Sequence, residues 1–506
     1  MVGVLGHLVD VEADLAPGVP GLSLVGMLDT SLQEARDRVR AAVVNSGCSW
    51  PSRRITVNLS PAALPKSGAG FDLSIALALL AAADVVPRAA IEGVVLVGEL
   101  ALDGRVRSVP GVLPAVLAAS VAGVDRVIVS AADQAEAVLV PGIRVLAPRS
   151  LRELVAHLRG EAPLPDPDLP EPRGDPGRDR LGLEPDLADV SGQSDARRAV
   201  EIAAAGGHHV FLSGPPGVGK TLLAERLPGV LPDLAEAEAF EVTAVHSVAG
   251  ALPPEVSLVT RPPFQAPHHT ASVVAIVGGG SGQVRPGAVS LAHRGVLFLD
   301  EAPEFAPAAL EALRQPLESG RIHVQRAGLR AVLPARFQLV LAANPCPCGL
   351  DSPKGLDCRC TPNQKRRYAG RLSGPLLDRI DLHVTMAKPV RAMQRASASL
   401  AESSAVVAER VLGARDRASR RLRGTPWVVN GDVPGAQLRR RFRPAESAAA
   451  ALELALARGV LTERGADRAL RVAWSLADLG GRDEPDGGDV GEAIALRRGR
   501  GGEAAA

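Results

Sequence analysis

Hydrophobic and polar positions fall into two regimes along the chain. Up to about residue 160, short strand-like runs alternate with amphipathic or apolar helical segments. Residues 8–13 alternate as a strand, and 55–59, 94–97 and 126–129 read as further strands. Residues 30–44 set Leu32, Ala35, Val39 and Val43 at helical spacing behind Asp29 and Thr30, both suited to cap a helix. Residues 72–83 and 113–122 are apolar helices, so this first unit is α+β. From Asp189 the pattern changes. A helix over 194–206 (Ala196, Ala199, Val200, Ala203) precedes uninterrupted apolar runs at 210–212, 296–299 and 337–341, as expected of strands buried on both faces. A further helix is expected over 310–317. Beyond about 391 the chain turns helical: 401–422 is one helix, 427–432 a break, and 461–474 a helix that Thr462 is placed to cap.

Between the regimes, residues 161–187 are rich in Pro and Asp. Each proline fixes φ and removes a donor, which predicts an extended, semi-stiff linker. The expected organisation is therefore an α+β domain over 1–160, the linker over 161–187, an α/β core over 188–390 with a cysteine-bearing insertion at 346–360, and a helical lid over 391–506.

The chemistry starts where the apolar run 210–212 meets Gly214, Pro215, Pro216, Gly217, Val218, Gly219, Lys220 and Thr221, a match to G-x-x-x-x-G-K-[ST] at every fixed position. Glycines let successive N–H groups turn inward as an anion nest, and the following helix points its positive end at the same place. Lys220 would reach the β- and γ-phosphates of ATP, and the Thr221 hydroxyl would ligate Mg²⁺. A second motif, GVLFLDE, ends a buried strand in Asp300 and Glu301. Carboxyl ends of parallel strands are where ligands bind, so Asp300 is placed to organise Mg²⁺ and Glu301 to orient or deprotonate water. A third strand ends at Asn344, an amide suited to a γ-phosphate or water, or to a plain turn.

Other groups leave alternatives open. His268 and His269 suggest a metal, but in a strand they would face opposite ways, and a locally bonded loop is the plainer reading. Gly278, Gly279 and Gly280 with Arg285 form a cationic insert suited to a central pore. Residues 321–332 read as a hairpin with its tip at 327–328, flanked by Arg326 and Arg330. Cys346, Cys348, Cys358 and Cys360 supply four thiols in two close pairs, as tetrahedral Zn²⁺ needs, although C-x-C is tighter than the common spacing; reduced thiols or a redox-labile pair are the alternatives. Cys48 stands apart and is expected in the core. Lys365, Arg366, Arg367 and Arg371 make a basic face for nucleic-acid phosphates or for solvent alone. Arg379, between short apolar runs, suits a cation offered to a neighbouring subunit's γ-phosphate, with an intrachain Arg–Asp pair as the alternative. Of the lid arginines Arg464, Arg468 and Arg471, the last is favoured for nucleotide contact.

Two family resemblances follow from these residues. Residues 64–80 (LPKSGAGFDLSIALALL) and 98–119 (GELALDGRVRSVPGVLPAVLAA) are similar to the Lon-protease-like fold, which uses a Ser nucleophile and a Lys base. Gly70 and Val116 stand at those positions, so Ser–Lys hydrolysis cannot run there, and the domain is expected to be a scaffold or a docking site for a protein partner. The ordered set of this half, GPPGVGKT, PHHTASVVAIVGGG, GVLFLDE, NPCPCG and LSGPLLDRIDLHV closely resembles the YifB/ComM family of magnesium-chelatase-like AAA+ ATPases. That resemblance covers nearly the whole chain, with the family's first strand expected to be shortened or missing. It implies hexameric rings and ATP-driven DNA work, namely branch migration in recombination and natural transformation. An ATPase that remodels a protein partner is the rival reading.

Composition adds bounds. The 506 residues are 46% hydrophobic, enough for about three domains. A net charge of +1 argues neither for nor against nucleic acid. Five cysteines, four of them crowded together, do not resemble a secreted disulfide framework. No signal peptide is evident, and the apolar stretch 75–83 is too short to span a bilayer, so a soluble cytoplasmic protein is expected.

Overall fold

The computed structural model describes residues 3–164, 185–252, 258–280, 284–326, 329–351, 358–387 and 401–499. Most of the expected linker over 161–187, the hairpin tip at 327–328 and the junction near 391 lie outside them.

The N-terminal domain holds two three-stranded sheets. In the first, Arg54–Ser60 runs between Asp10–Ala16, its antiparallel neighbour, and Gly21–Val25, its parallel one. In the second, Arg126–Ile128 lies between Val94–Leu96 and Arg144–Leu146, all parallel. Helix Thr30–Asn45 starts as expected, with the Asp29 carboxylate accepting from Leu32 N at 2.9 Å. Helices Thr30–Asn45 and Asp72–Ala82 cover the first sheet. Helix Val112–Val121 instead packs into a cluster that includes Ala244 and borders Phe240, both from helix Glu236–Ala249 of the next domain. The two domains are thus docked through apolar side chains, reinforced where Gly111 N donates to Ser247 O at 3.1 Å. Val116 is fully buried in that interface cluster.

The core is a five-stranded parallel sheet in the order Phe264–Gln265, Val296–Leu299, Gln338–Ala343, Val210–Ser213, Leu382–Thr385. The uninterrupted apolar runs have the predicted cause. All four side chains of Val296–Leu299 are buried, and burying each stabilises the fold by about 1.5–3 kcal/mol. The consequence for the site is the order itself. Gln338–Ala343 lies between the strand that ends at Asp300 and the strand that runs into the Gly-rich loop, so three distant segments end side by side.

Four lid helices, Ser404–Arg421, Glu446–Ala457, Glu463–Leu479 and Gly487–Arg498, share one apolar cluster with helix Ser194–Gly206 and the sheet. Thr462 caps the third of these, its hydroxyl accepting from Gly465 N at 3.1 Å.

Three sequence expectations change. The helix read over 310–317 is broken into Pro307–Ala312 and Arg314–Ser319, because Pro316 has no N–H to offer the Ala312 carbonyl. Cys48 is half-buried rather than interior. The helix after Lys220 covers only Lys220–Ala224 before the chain turns. Among the described residues, no helix is long and apolar enough to cross a membrane.

Candidate active site

The Gly-rich loop is shaped by close approaches. Gly217 and Gly219 take φ of +75° and +94°, which a side chain would strain. A Cβ at Gly214 would lie 2.5 Å from the Met386 carbonyl oxygen, so only glycine fits between the loop and the end of strand Leu382–Thr385. At the loop's end Lys220 is buried, and its Nζ donates to Gly214 O at 2.6 Å, Pro215 O at 3.0 Å and Asn344 Oδ1 at 3.0 Å. Burial pulls the amine below its ordinary pKa, and the nearby Asp300 and Glu301 carboxylates oppose that pull. Thr221 Oγ1 donates to Asp300 Oδ2 at 2.6 Å. Asn344, Lys220, Thr221 and Asp300 therefore meet in one place although up to 124 residues separate them. The donor set fits Mg·ATP: an amine and a backbone nest for phosphate oxygens, and a hydroxyl with a carboxylate as two hard oxygen ligands.

Glu301 follows at φ +49°, an uncommon left-handed conformation for a non-glycine that costs on the order of 1 kcal/mol and turns its carboxylate outward. His269 Nδ1 lies 3.5 Å from Glu301 Oε2. The two histidines are not on opposite faces: they lie past strand Phe264–Gln265, and their rings stand 4.1 Å apart between centroids. His268 does bond locally, to Thr270 Oγ1 at 2.9 Å. His269, by contrast, meets the residue assigned to water, a pairing that sequence reasoning missed. Gln193 was missed as well. Held at φ +55°, it donates from Nε2 to Ala387 O at 2.8 Å and Val218 O at 3.3 Å, strapping the domain's entry across the loop.

The arginines lie elsewhere. Arg379 pairs with Glu318, an intrachain partner different from the Asp expected, and lines a cavity with Asp381, Arg468 and Arg471. This cavity is at the amino edge of the sheet, where Asp381 N and Leu382 N both donate to His209 O, one residue before strand Val210–Ser213. Arg471 is half-buried there too, its Nε donating to Val433 O at 2.7 Å. The phosphate loop is at the other, carboxyl edge. Arg471, expected to touch nucleotide from the lid, thus faces away from its own loop and shares the place of Arg379.

A buried polar relay ties the lid to this edge. His208 Nδ1 meets Asp381 Oδ2 at 3.3 Å and its Nε2 meets Ser475 Oγ at 2.8 Å, while Arg468 Nη1 donates to Asp381 Oδ1 at 2.8 Å. Burial would push the Asp381 carboxyl up, but the His208 hydrogen bond and the Arg468 charge outweigh it and hold the group well below the usual range.

Around the site, the four thiols converge. The Cys346, Cys348, Cys358 and Cys360 sulfurs all lie within 4.8 Å of one another, with Cys346 fully buried. The neighbouring basic face is partly neutralised: Lys365 Nζ bonds Asp351 Oδ1 at 2.5 Å and Arg371 Nη1 bonds Glu304 Oε2 at 2.6 Å, while Arg366 and Arg367 remain exposed. The hairpin Arg321–Arg326 with Leu329–Pro334 buries Ile322, Ala331 and Leu333 and leaves Arg321, His323 and Arg330 outward. Beside it, Gly279 and Arg285 exchange two backbone hydrogen bonds of 2.9 Å, and Gly278 packs on Leu333. In the N-terminal domain Gly70 lines a cavity of about 480 Å³ together with Phe71, Ser74 and Ser108.

Comparison with known proteins agrees with this arrangement. Family models described as magnesium chelatase subunit ChlI match residues 186–394, with further ChlI models on 11–133 and, for the C-terminal part, 401–497. An uncharacterized protein of Mycobacterium tuberculosis is 54% identical over 98% of this chain and 97% of its own length. The uncharacterized protein YifB of Escherichia coli is 42% identical over 98% of this chain and 95% of its own, and the competence protein ComM of Haemophilus influenzae 40% identical over 98% and 96%. The N-terminal region is also similar to Lon protease 2 of Bacillus subtilis, at 31% identity over 28% of this chain and 26% of that protein. With a phosphate loop, a carboxylate pair and a polar strand end on one parallel sheet, and matches along its whole length, the chain belongs to the magnesium-chelatase-like AAA+ family that includes YifB and ComM.

Proposed function

We propose that this protein hydrolyses ATP as a ring motor, a homohexamer working on DNA in the cytoplasm as a helicase or branch-migration factor. The observation that carries the ATPase reading is the convergence of Lys220, Thr221, Asp300 and Asn344 within 2.6–3.0 Å contacts, with Glu301 beside them. Lys220 and the loop amides bind the phosphates. Thr221 and Asp300 hold Mg²⁺, which when bound neutralises charge on the β- and γ-phosphates. Glu301 takes the proton of the attacking water and His269 positions that carboxylate. Asn344 orients the γ-phosphate or the water. Arg379, with Arg471 beside it, serves the site of the adjacent protomer. The four thiols hold Zn²⁺.

Support for DNA comes from placement. The hairpin leaves Arg321 and Arg330 exposed, and the insert that carries the exposed Arg285 packs against its Leu333, so neighbouring segments offer cations suited to phosphate contacts. The competence protein among the relatives agrees with this direction. The test is phosphate release with Mg·ATP against no DNA and against single-stranded, duplex, forked and four-way DNA. Stimulation that falls steeply with salt is expected. A rate unaltered by every DNA would replace this reading with that of a motor for a protein partner, for which the N-terminal domain would be the dock.

A further inference from the structure

The cysteine cluster is built into the wall of the phosphate site. Strand Gln338–Ala343 ends at Asn344, whose Oδ1 accepts from Lys220. Two residues on, Cys346 is fully buried, and Gly349 N donates to Cys346 O at 2.9 Å to close a tight turn at φ +74°. Gly349 lies against the loop itself: a Cβ there would sit 2.6 Å from Pro216 Cδ and 3.9 Å from Asn344 Cγ. On the far side of the cluster, Cys360 leads into Thr361, which caps helix Pro362–Ala369. That helix is followed by Arg371, which donates to Pro303 O at 3.1 Å, just beyond the Asp300–Glu301 pair. The knuckle thus touches the phosphate loop, carries the sensing amide and leads to the carboxylate segment.

The sulfur spacing suits a tetrahedral metal. A tetrahedral Zn²⁺ with Zn–S bonds of about 2.3 Å has S···S edges of about 3.8 Å. The pairs Cys346–Cys348, Cys346–Cys358 and Cys348–Cys358 stand at 3.3, 3.7 and 3.7 Å. Disulfide bonds would be about 2.05 Å, and all four cysteines are free. Four thiolates at such spacing repel one another unless a cation sits among them.

We infer that Zn²⁺ bound by Cys346, Cys348, Cys358 and Cys360 sets Asn344 against Lys220, so that the metal governs ATP turnover rather than ATP binding. This rests on the ATPase reading above. Nucleotide affinity comes from the loop amides and Lys220, which belong to a different segment. The amide placed for the γ-phosphate belongs to the metal-held one.

The full-length protein, purified under reducing conditions, is assayed for zinc by elemental analysis and for tetrathiolate Co²⁺ absorption after exchange. Cys348→Ser is the chosen variant, because Cys348 is exposed and its loss opens no cavity; Cys360→Ser is the second, and melting curves check both for folding. The expected result is one metal per wild-type chain and none in the variants. Turnover should fall about tenfold or more, as when a group that orients a metal-site ligand is lost, with the dissociation constant for a fluorescent ATP analogue changed less than about twofold. Hydrogen exchange across 214–221 should rise in the variants. Wild-type protein that takes up no metal, or a metal-free folded variant that turns over normally, would overturn the inference. If the wild type binds metal but releases no phosphate, the ATPase reading fails, and exchange across 214–221 decides: faster exchange without metal sustains the coupling, and unchanged exchange ends it.

Discussion

The placement of Arg379 makes a quantitative prediction. Its backbone lies beside His209, at the amino edge of strand Val210–Ser213, and its guanidinium is turned to Glu318. Its own phosphate loop lies beyond the four residues of that strand, about 13 Å at 3.3 Å per residue. The side chain does not span that length, so the role proposed for Arg379 at a γ-phosphate requires the site of another protomer. Arg379→Ala should therefore abolish turnover: arginine fingers contribute about 10³–10⁵ in rate, or about 4–7 kcal/mol of barrier. Lys220→Ala should abolish it too, but from the opposite side of the interface. In an equimolar mixture a working site needs an intact Lys220 in one protomer and an intact Arg379 in its neighbour, which random assembly supplies at about a quarter of the interfaces in a cyclic ring. Mixing two dead variants should then restore up to about 25% of the wild-type rate if sites fire independently, and less if they must fire in sequence. The assay is phosphate release across a series of mixing ratios, with native mass spectrometry to verify mixed rings. Mixed rings that stay inactive at every ratio would refute the argument.

Three further outcomes follow from individual contacts. Glu301→Gln should keep Mg·ATP affinity while turnover drops about 10²–10⁴-fold, as for loss of a general base; single-turnover kinetics with normal chemistry would remove Glu301 from that role. His269→Ala frees Glu301 from its neighbour at 3.5 Å, and should lower kcat by about tenfold or less with KM for ATP unchanged; a shift in KM alone would show that His269 touches substrate instead. Desolvation of the half-buried His209 ring drives its pKa down from 6.5 to about 4, and its Nδ1 accepts from Leu339 N at 3.0 Å. Above pH 6.5 both folded and unfolded chains leave it neutral. Between 6.5 and 4 only the unfolded chain takes the proton, so stability falls with pH, by about 2 kcal/mol by pH 5. Urea midpoints at pH 7.5 and 5 should separate by that amount for the wild type and by clearly less for His209→Asn, which retains an acceptor; parallel behaviour would exclude His209 as the cause.

What was readable in the chain and what was not divide along physical lines. The strand–loop–helix around Lys220, the carboxylates at Asp300 and Glu301 and the amide at Asn344 announce themselves because each depends on neighbours a few residues away. So do the strands of the core sheet, whose unbroken apolar runs have a single explanation. The relay of His208, Asp381 and Ser475 has no such local mark: its members are 173 and 267 residues apart, and a buried polar contact interrupts no period. Strand alternation would separate His268 from His269, but the strand ends at Gln265. Arg471 shows a subtler gap. Its helix was legible, yet which edge of the sheet that helix meets is decided by packing against Ser194–Gly206 and the strands, not by the helix's own residues.

The interior linkage of lid to sheet has a mechanical corollary. Since Arg468 grips both the Asp381 carboxylate and the Arg379 carbonyl oxygen, at 2.8 Å each, any tilt of helix Glu463–Leu479 must drag the finger-bearing turn along with it. In the proposed ring, that helix would serve less as a cover for its own nucleotide than as a lever arm. Its angle would be felt first next door, where the displaced guanidinium would enter or leave the pocket of the adjacent protomer.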